Sequence, residues 1–164
     1  MARARLGAPG GGGIVGWSLA TFHTSAFVLA IVFILYSRDA LGPALGGLNT
    51  LLGLALFVAL WATTYVTTSR ALEGLDLLRD NQRGLFARRA LRWGAANGMA
   101  FLAVLGLVLI ASAVFATPSV LLTALFIAPF ALVASAVVGA VVGVIFSAID
   151  LALLALARAA LDVR

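Results

Sequence analysis

Three groups of residues have types and spacings that chemistry could use. The first is Gly11-x-Gly13-x-x-Gly16, the letter spacing of a dinucleotide-binding turn. In such a turn a strand precedes the glycines and a helix follows. An acid about 20 residues further on holds the ribose. Here the preceding ten residues contain Arg3, Arg5 and Pro9 and show no strand pattern. About 20 positions after Gly16 stand Tyr36 and Ser37, and Asp39 falls beyond the end of an apolar stretch. The letters match without their context, so no nucleotide binding is expected.

The second group is polar and lies inside apolar surroundings. His23 is the single histidine, followed by Thr24 and Ser25. A lone imidazole in such a place is either hydrogen-bonded to a hydroxyl or amide, or part of a proton relay or ligand site. No Asp, Glu, Lys or Arg lies deep in an apolar stretch to complete a relay. Asn49 and Asn97, with Thr50, Thr63, Thr64, Thr67 and Thr68, also need partners. Each asparagine is expected to bridge helices locally. His23, Asn49 and Asn97 are the candidate lining of a polar path.

The third group is small. Ala131, Ser135, Gly139, Gly143 and Ser147 recur every four residues and so form one slowly drifting helix face. Small residues let helix backbones approach closely where lipid removes the hydrophobic driving force. Comparable sets are Gly12, Gly16, Ala20 and Thr24; Gly42, Gly46, Asn49 and Gly53; and Gly94, Gly98 and Gly106. Such faces serve either packing within one bundle or contact with another subunit. Four sets exceed the needs of a simple bundle, which favours at least one external contact. On that reading Gly143→Leu breaks assembly and spares membrane insertion.

Other chemistry is absent. The chain has no cysteine, which excludes disulfides and thiol catalysis, and one histidine cannot build a zinc site alone. It has no Ser/His/Asp set, no paired carboxylates and no P-loop lysine, since all its basic residues are Arg. No enzymatic activity, cofactor or metal is expected.

The elements that position these groups follow from composition. Of 164 residues, 63% are hydrophobic and 10% charged, where a soluble domain carries about 25% charged residues. Mean hydropathy is +1.15. So few charges cannot cover a water-facing surface, so the solvent for most of the chain is lipid. Four apolar stretches run over 14–36, 44–69, 93–116 and 119–149. Each exceeds the roughly 20 residues that a helix needs to span a bilayer. The expected fold is an all-α, polytopic, four-helix transmembrane bundle. Residues 1–13 form a flexible lead-in, retained because no suitable signal-cleavage exit follows. Residues 70–92 form a polar loop, and 150–164 a helical or interfacial tail.

The connections carry their own signals. Ser37-Arg-Asp-Ala-Leu-Gly-Pro43 and Thr117-Pro118-Ser119 read as short turns with proline at a helix start, and Asn81-Gln-Arg-Gly84 as a third turn. Leu72, Leu75 and Leu78 extend the second helix for a few turns, and 86–92 is an early start to the third. Pro129 should kink the fourth stretch. A re-entrant half-helix before it is the other possibility.

Arginines set the orientation. Arg3, Arg5, Arg70, Arg79, Arg83, Arg88, Arg89, Arg92, Arg158 and Arg164 fall on one side and Arg38 alone on the other. The positive-inside rule puts both termini and the middle loop in the cytoplasm. Arg88, Arg89 and Arg92 are expected to contact anionic lipid headgroups, and Asp76 to pair with Arg79. The net charge of +5 reflects this topology rather than nucleic-acid binding. Arginine without lysine, with abundant Ala, Gly and Leu, fits a GC-rich prokaryotic genome and hence a prokaryotic cell membrane.

Three functions follow. The leading one is a non-enzymatic membrane subunit or scaffold that packs through its small-residue faces, as a homo-oligomer or with other membrane subunits. The second is a channel or transporter component. The third is a lipid- or pigment-binding membrane module.

Overall fold

The structure, a computed structural model, describes residues 11–46, 49–75, 82–113 and 119–161. They form α1 (Gly11–Ser37), α2 (Leu41–Leu45), α3 (Thr50–Leu72), α4 (Arg83–Ala113) and α5 (Ser119–Leu161). Four helices are long and apolar enough to cross a membrane, over Gly13–Ser37, Thr50–Leu72, Arg83–Val108 and Thr123–Ala157. The chain divides into two compact units, Met1–Ser69 and Arg70–Arg164. The first holds α1, α2 and nearly all of α3, and the second pairs α4 with α5.

Burial is inverted relative to a water-soluble bundle. Among the described residues the fully buried hydrophobic side chains are only Ala20, Ala71 and Phe86. Long apolar side chains point outward instead: Leu29 is 68% exposed, Phe33 71%, Phe126 76% and Phe130 78%. The buried positions are otherwise small or polar, namely Gly16, His23, Thr24, Thr64, Thr67 and Ser147. Apolar surface on this scale marks faces that meet other apolar matter, protein or lipid.

The helix ends differ from the sequence expectation in four places, each for a local reason. Gly11 to Gly13, expected as loose lead-in, are the first turn of α1. Glycine costs about 1 kcal/mol per position in a helix interior, but the apolar residues that follow propagate the helix across this terminal turn. The second stretch does not start near 44. Pro43 sits in α2, which stops at Leu45, and α3 begins at Thr50. Asn49 makes that start, because its Oδ1 accepts a hydrogen bond from the Leu52 N–H at 2.7 Å. This is an N-cap, which satisfies a donor that the helix leaves open.

At its far end α3 stops at Leu72 rather than running on through the leucines. Gly74 adopts φ +68°, and the Leu75 N–H donates to the Leu72 carbonyl at 3.0 Å. The early start of α4 extends to Arg83, so Gly84, expected in a turn, is helical. α5 is one helix of 43 residues that runs through Pro129. The helical alternative for the tail from 150 is the one found, as a continuation of α5 to Leu161, and the helix is unbroken where the re-entrant alternative needed a break. Asp76, Arg79, Asn81, Thr117, Pro118 and the termini lie outside the described residues.

α1 ends in a Schellman motif. The Ala40 N–H donates to the Leu35 carbonyl at 2.9 Å, and the Asp39 N–H to the Tyr36 carbonyl at 3.1 Å. Asp39 takes the left-handed position, with φ +52°. Glycine is the usual residue there because a Cβ is strained in that region. Asp39→Gly is therefore expected to stabilise the protein by about 0.5–1 kcal/mol, and Asp39→Val to destabilise it. Unfolding midpoints in a mild detergent check both signs.

Candidate functional site

The most constrained geometry lies between α4 and α5. A Cβ built on Gly94 would stand 2.5 Å from the Gly139 carbonyl oxygen and 3.0 Å from the Gly143 Cα. One built on Gly143 would stand 2.5 Å from the Ala90 carbonyl oxygen. Cβ atoms on Gly98 and Gly139 would collide with the carbonyl oxygens of Ser135 and Gly94 respectively. The two helices run antiparallel with backbone against backbone, and Ala90, Gly94 and Gly98 face Gly143, Gly139 and Ser135. The Ser135 hydroxyl donates to the Leu132 carbonyl at 3.0 Å and that of Ser147 to Val144 at 2.8 Å. Both serines thus fold their hydroxyls back onto α5 and act as small residues. Carrying the register on by one turn places Phe86 level with Ser147, and both are buried.

From the sequence, the stripe over Ser135, Gly139, Gly143 and Ser147 is expected to serve either a helix of the same bundle or another subunit. In the structure Ser135, Gly139 and Gly143 meet α4 of the same chain. Gly143→Leu would therefore force α4 and α5 apart before it touched any second subunit. The set Gly42, Gly46, Asn49 and Gly53 is not one face, because the helix breaks between Gly46 and Thr50. A Cβ on Gly42 would meet nothing within 4 Å, and one on Gly46 only its own short helix. Gly53 is half-buried in the first turn of α3. Gly106 likewise faces open space.

A second seam joins α1 and α3. Gly16 approaches Ser69 so closely that a Cβ would stand 2.8 Å from the serine Oγ. Gly16, Ala20 and Thr24 are all buried, with Ala20 at 0% and Thr24 at 1% exposure. Further along, the Trp61 indole N–H donates to Thr21 Oγ1 at 3.0 Å. That hydroxyl in turn donates to the Trp17 carbonyl at 2.9 Å. The relay satisfies an indole donor that an apolar environment would otherwise leave stranded. Trp61 also stacks on Tyr65, with ring centroids 5.6 Å apart.

The polar candidates separate in this geometry. Asn49 caps α3 and is exposed, so it neither bridges helices nor lines a path. His23 is buried, with its ring 5.8 Å from that of Phe22. Asn97 is half-buried on α4. Thr63 donates to the Leu60 carbonyl at 3.0 Å, and Thr67 to the Thr63 carbonyl at 2.8 Å. These hydroxyls are spent on their own helix. Thr24 Oγ1 and Ser69 Oγ are buried with no hydrogen-bond partner among the described residues.

The arginines also divide. Arg89 donates from Nη1 to the Glu73 carbonyl, just past the end of α3, where open carbonyls attract a cation. Arg70 pairs with the Glu73 carboxylate at 3.8 Å, an exposed and weak contact. Arg88 and Arg92 are exposed, four residues apart on α4. Among the described residues no group of His, Cys, Asp or Glu could hold a metal ion.

A family model covers this whole arrangement, matching residues 12–163. The chain belongs to DUF7965, a family of unknown function. No curated protein and no solved structure matches it. The match takes in all of α3, α4 and α5 and both seams.

Sequence reasoning missed Ser69 opposite Gly16, the Trp61–Thr21 bond and the Glu73 carbonyl as the target of Arg89. An indole inside an apolar stretch was the one available signal, because its N–H demands an acceptor.

Two measurements check the seams. Gly98→Ala should lower the unfolding midpoint, while Gly106→Ala should leave it unchanged or raise it slightly, since alanine is the better helix former. Equal effects would contradict the backbone contact. Trp61→Phe should cost about 1 kcal/mol, and a double-mutant cycle with Thr21→Val should recover most of that loss as coupling.

Proposed function

We propose that this chain is a multi-pass membrane protein of a prokaryotic cell membrane, with both termini and the arginine-rich connection in the cytoplasm. It serves as a non-enzymatic subunit or scaffold, assembling with itself or with a larger membrane complex. The observation that carries the reading is the inverted burial: phenylalanine, leucine and valine outside, glycine, alanine and hydroxyls inside. Lipid is the solvent that tolerates this, because tails are as apolar as leucine and reward close backbone contact instead.

The fate of the polar groups favours a packing role over a transport path. Asn49 caps a helix, Thr21 holds Trp61, and Thr63, Thr67, Ser135 and Ser147 bond their own backbones. Each is committed to holding helices. Gly94, Gly98, Gly139 and Gly143 are committed to the α4–α5 contact, so contact with other subunits falls on the outer apolar faces.

Helix length sharpens the topology. The apolar part of α5, Thr123–Ala157, has 35 residues. At 1.5 Å per residue that is about 52 Å. Even a tilt of about 40° lets a ~30 Å core hold only about 26 residues. The end beyond Asp150 therefore projects past the hydrocarbon. It does so on the side of Arg88 and Arg92, because α5 runs antiparallel to α4.

Reporter fusions test the orientation. A fluorescent protein fused after Arg164 should glow, and a secreted phosphatase at the same site should be inactive; the opposite pair overturns the topology. Native mass spectrometry of the gently extracted particle should show more than one chain. A lone chain with solute flux in liposomes would favour the channel reading.

A further inference from the structure

We propose that Arg88 and Arg92 form a binding site for the phosphate headgroup of an anionic phospholipid, on the outer face of the first turns of α4. The proposal rests on the membrane reading above and names the partner of one surface within it. The argument begins with how the structure spends its other arginines. Arg89 is drawn to the Glu73 carbonyl and Arg70 to the Glu73 carboxylate. Arg89 thus meets the Glu73 backbone, and Arg70 is the cation set against the Glu73 carboxylate. Arg88 and Arg92 are left, exposed and with no hydrogen-bond or ion-pair partner among the described residues.

Their placement fits a headgroup. Four residues apart, they stand on one face of α4, about 6 Å apart along its axis. Two guanidinium forks at that spacing can grip one phosphate from both sides. Among the described residues α4 carries no acidic residue in its first turn. On the paired helix, the residues level with Arg88 are Val144, Ile145 and Phe146, none of them acidic. Asp150 lies a turn away, level with the start of α4.

The surface next to the pair is apolar rather than hydrated. Leu85 is 46% exposed and Leu91 48%. Beyond Arg92 the same face continues through Ala96, Met99 and Ala103. A pair of cations therefore stands at the head of a strip with small and apolar side chains. That order suits a molecule with a charged head and an acyl chain, and a free anion would use only the first half of it.

The test reconstitutes the full chain in nanodiscs with equal phosphatidylglycerol and phosphatidylcholine, then counts retained lipids by native mass spectrometry. Wild type should retain phosphatidylglycerol roughly tenfold to thirtyfold over phosphatidylcholine, as two basic side chains at an anionic surface allow. Arg88→Gln with Arg92→Gln should reduce that preference to about twofold or less. Arg38→Gln, at the other end of α1, should leave it unchanged. An unchanged preference in the double variant overturns the proposal. So does displacement of the retained lipid by millimolar inorganic phosphate, which would make the site one for a free anion. Vesicle flotation separates the two layers of argument. A chain that fails to float overturns the membrane reading and this proposal together, whereas one that floats with an unaltered lipid preference overturns this proposal alone.

Discussion

The contact of α4 and α5 through bare backbone is the constraint on which the second half of the molecule depends. At Gly94, Gly98, Gly139 and Gly143 there is no room for even one carbon atom. Such proximity brings many atom pairs into van der Waals range and suits Cα–H···O contacts, each worth about 0.5–1 kcal/mol. On the proposed membrane reading, where lipid offers helices no hydrophobic reward for associating, this is the force that remains. It also fixes the register, because a slip of one residue would bring Val138 or Val142 against the α4 backbone. The serines at either end of the stripe keep to the rule by turning their hydroxyls onto their own carbonyls.

The first unit solves the same problem with different chemistry. Its close approach is confined to Gly16 and Ser69, and the Trp61–Thr21–Trp17 relay adds direction that glycine lacks. The Trp61–Thr21 bond ties α1 to α3, whereas the Thr63 and Thr67 hydroxyls bond carbonyls of their own helix. The helix ends are as deliberate. Asn49 and Asp39 close a helix start and a helix end within the short connection from α1 to α3. Gly74 and the Arg89–Glu73 bond finish α3 on the opposite side.

These arrangements relate structure to the proposed role through what is left unspent. The seam glycines, the hydroxyls of Thr21, Thr63, Thr67, Ser135 and Ser147, and Arg70 and Arg89 are used within the chain. Among the described residues the outward surface keeps long apolar side chains and the exposed Arg88 and Arg92. A protein so arranged presents apolar faces to its surroundings.

Composition and period determined the helices. With 10% charged residues and four apolar stretches of sufficient length, an all-helical chain with membrane-crossing dimensions was legible from letters alone, because lipid leaves few structures that satisfy the backbone. The four-residue spacing of small side chains was legible as a face suited to contact. What that face touches was not, since the same pattern serves a neighbour in the chain or a second copy. Only the tertiary structure set Gly139 against Gly94 and Gly98. It also made Asn49 a cap rather than a membrane amide, because the break after Gly46 depends on how the chain reverses between α1 and α3. Arg88, Arg89 and Arg92 looked alike in sequence. Folding separated them by bringing one carbonyl, that of Glu73, within reach of Arg89 and leaving the other two facing outward.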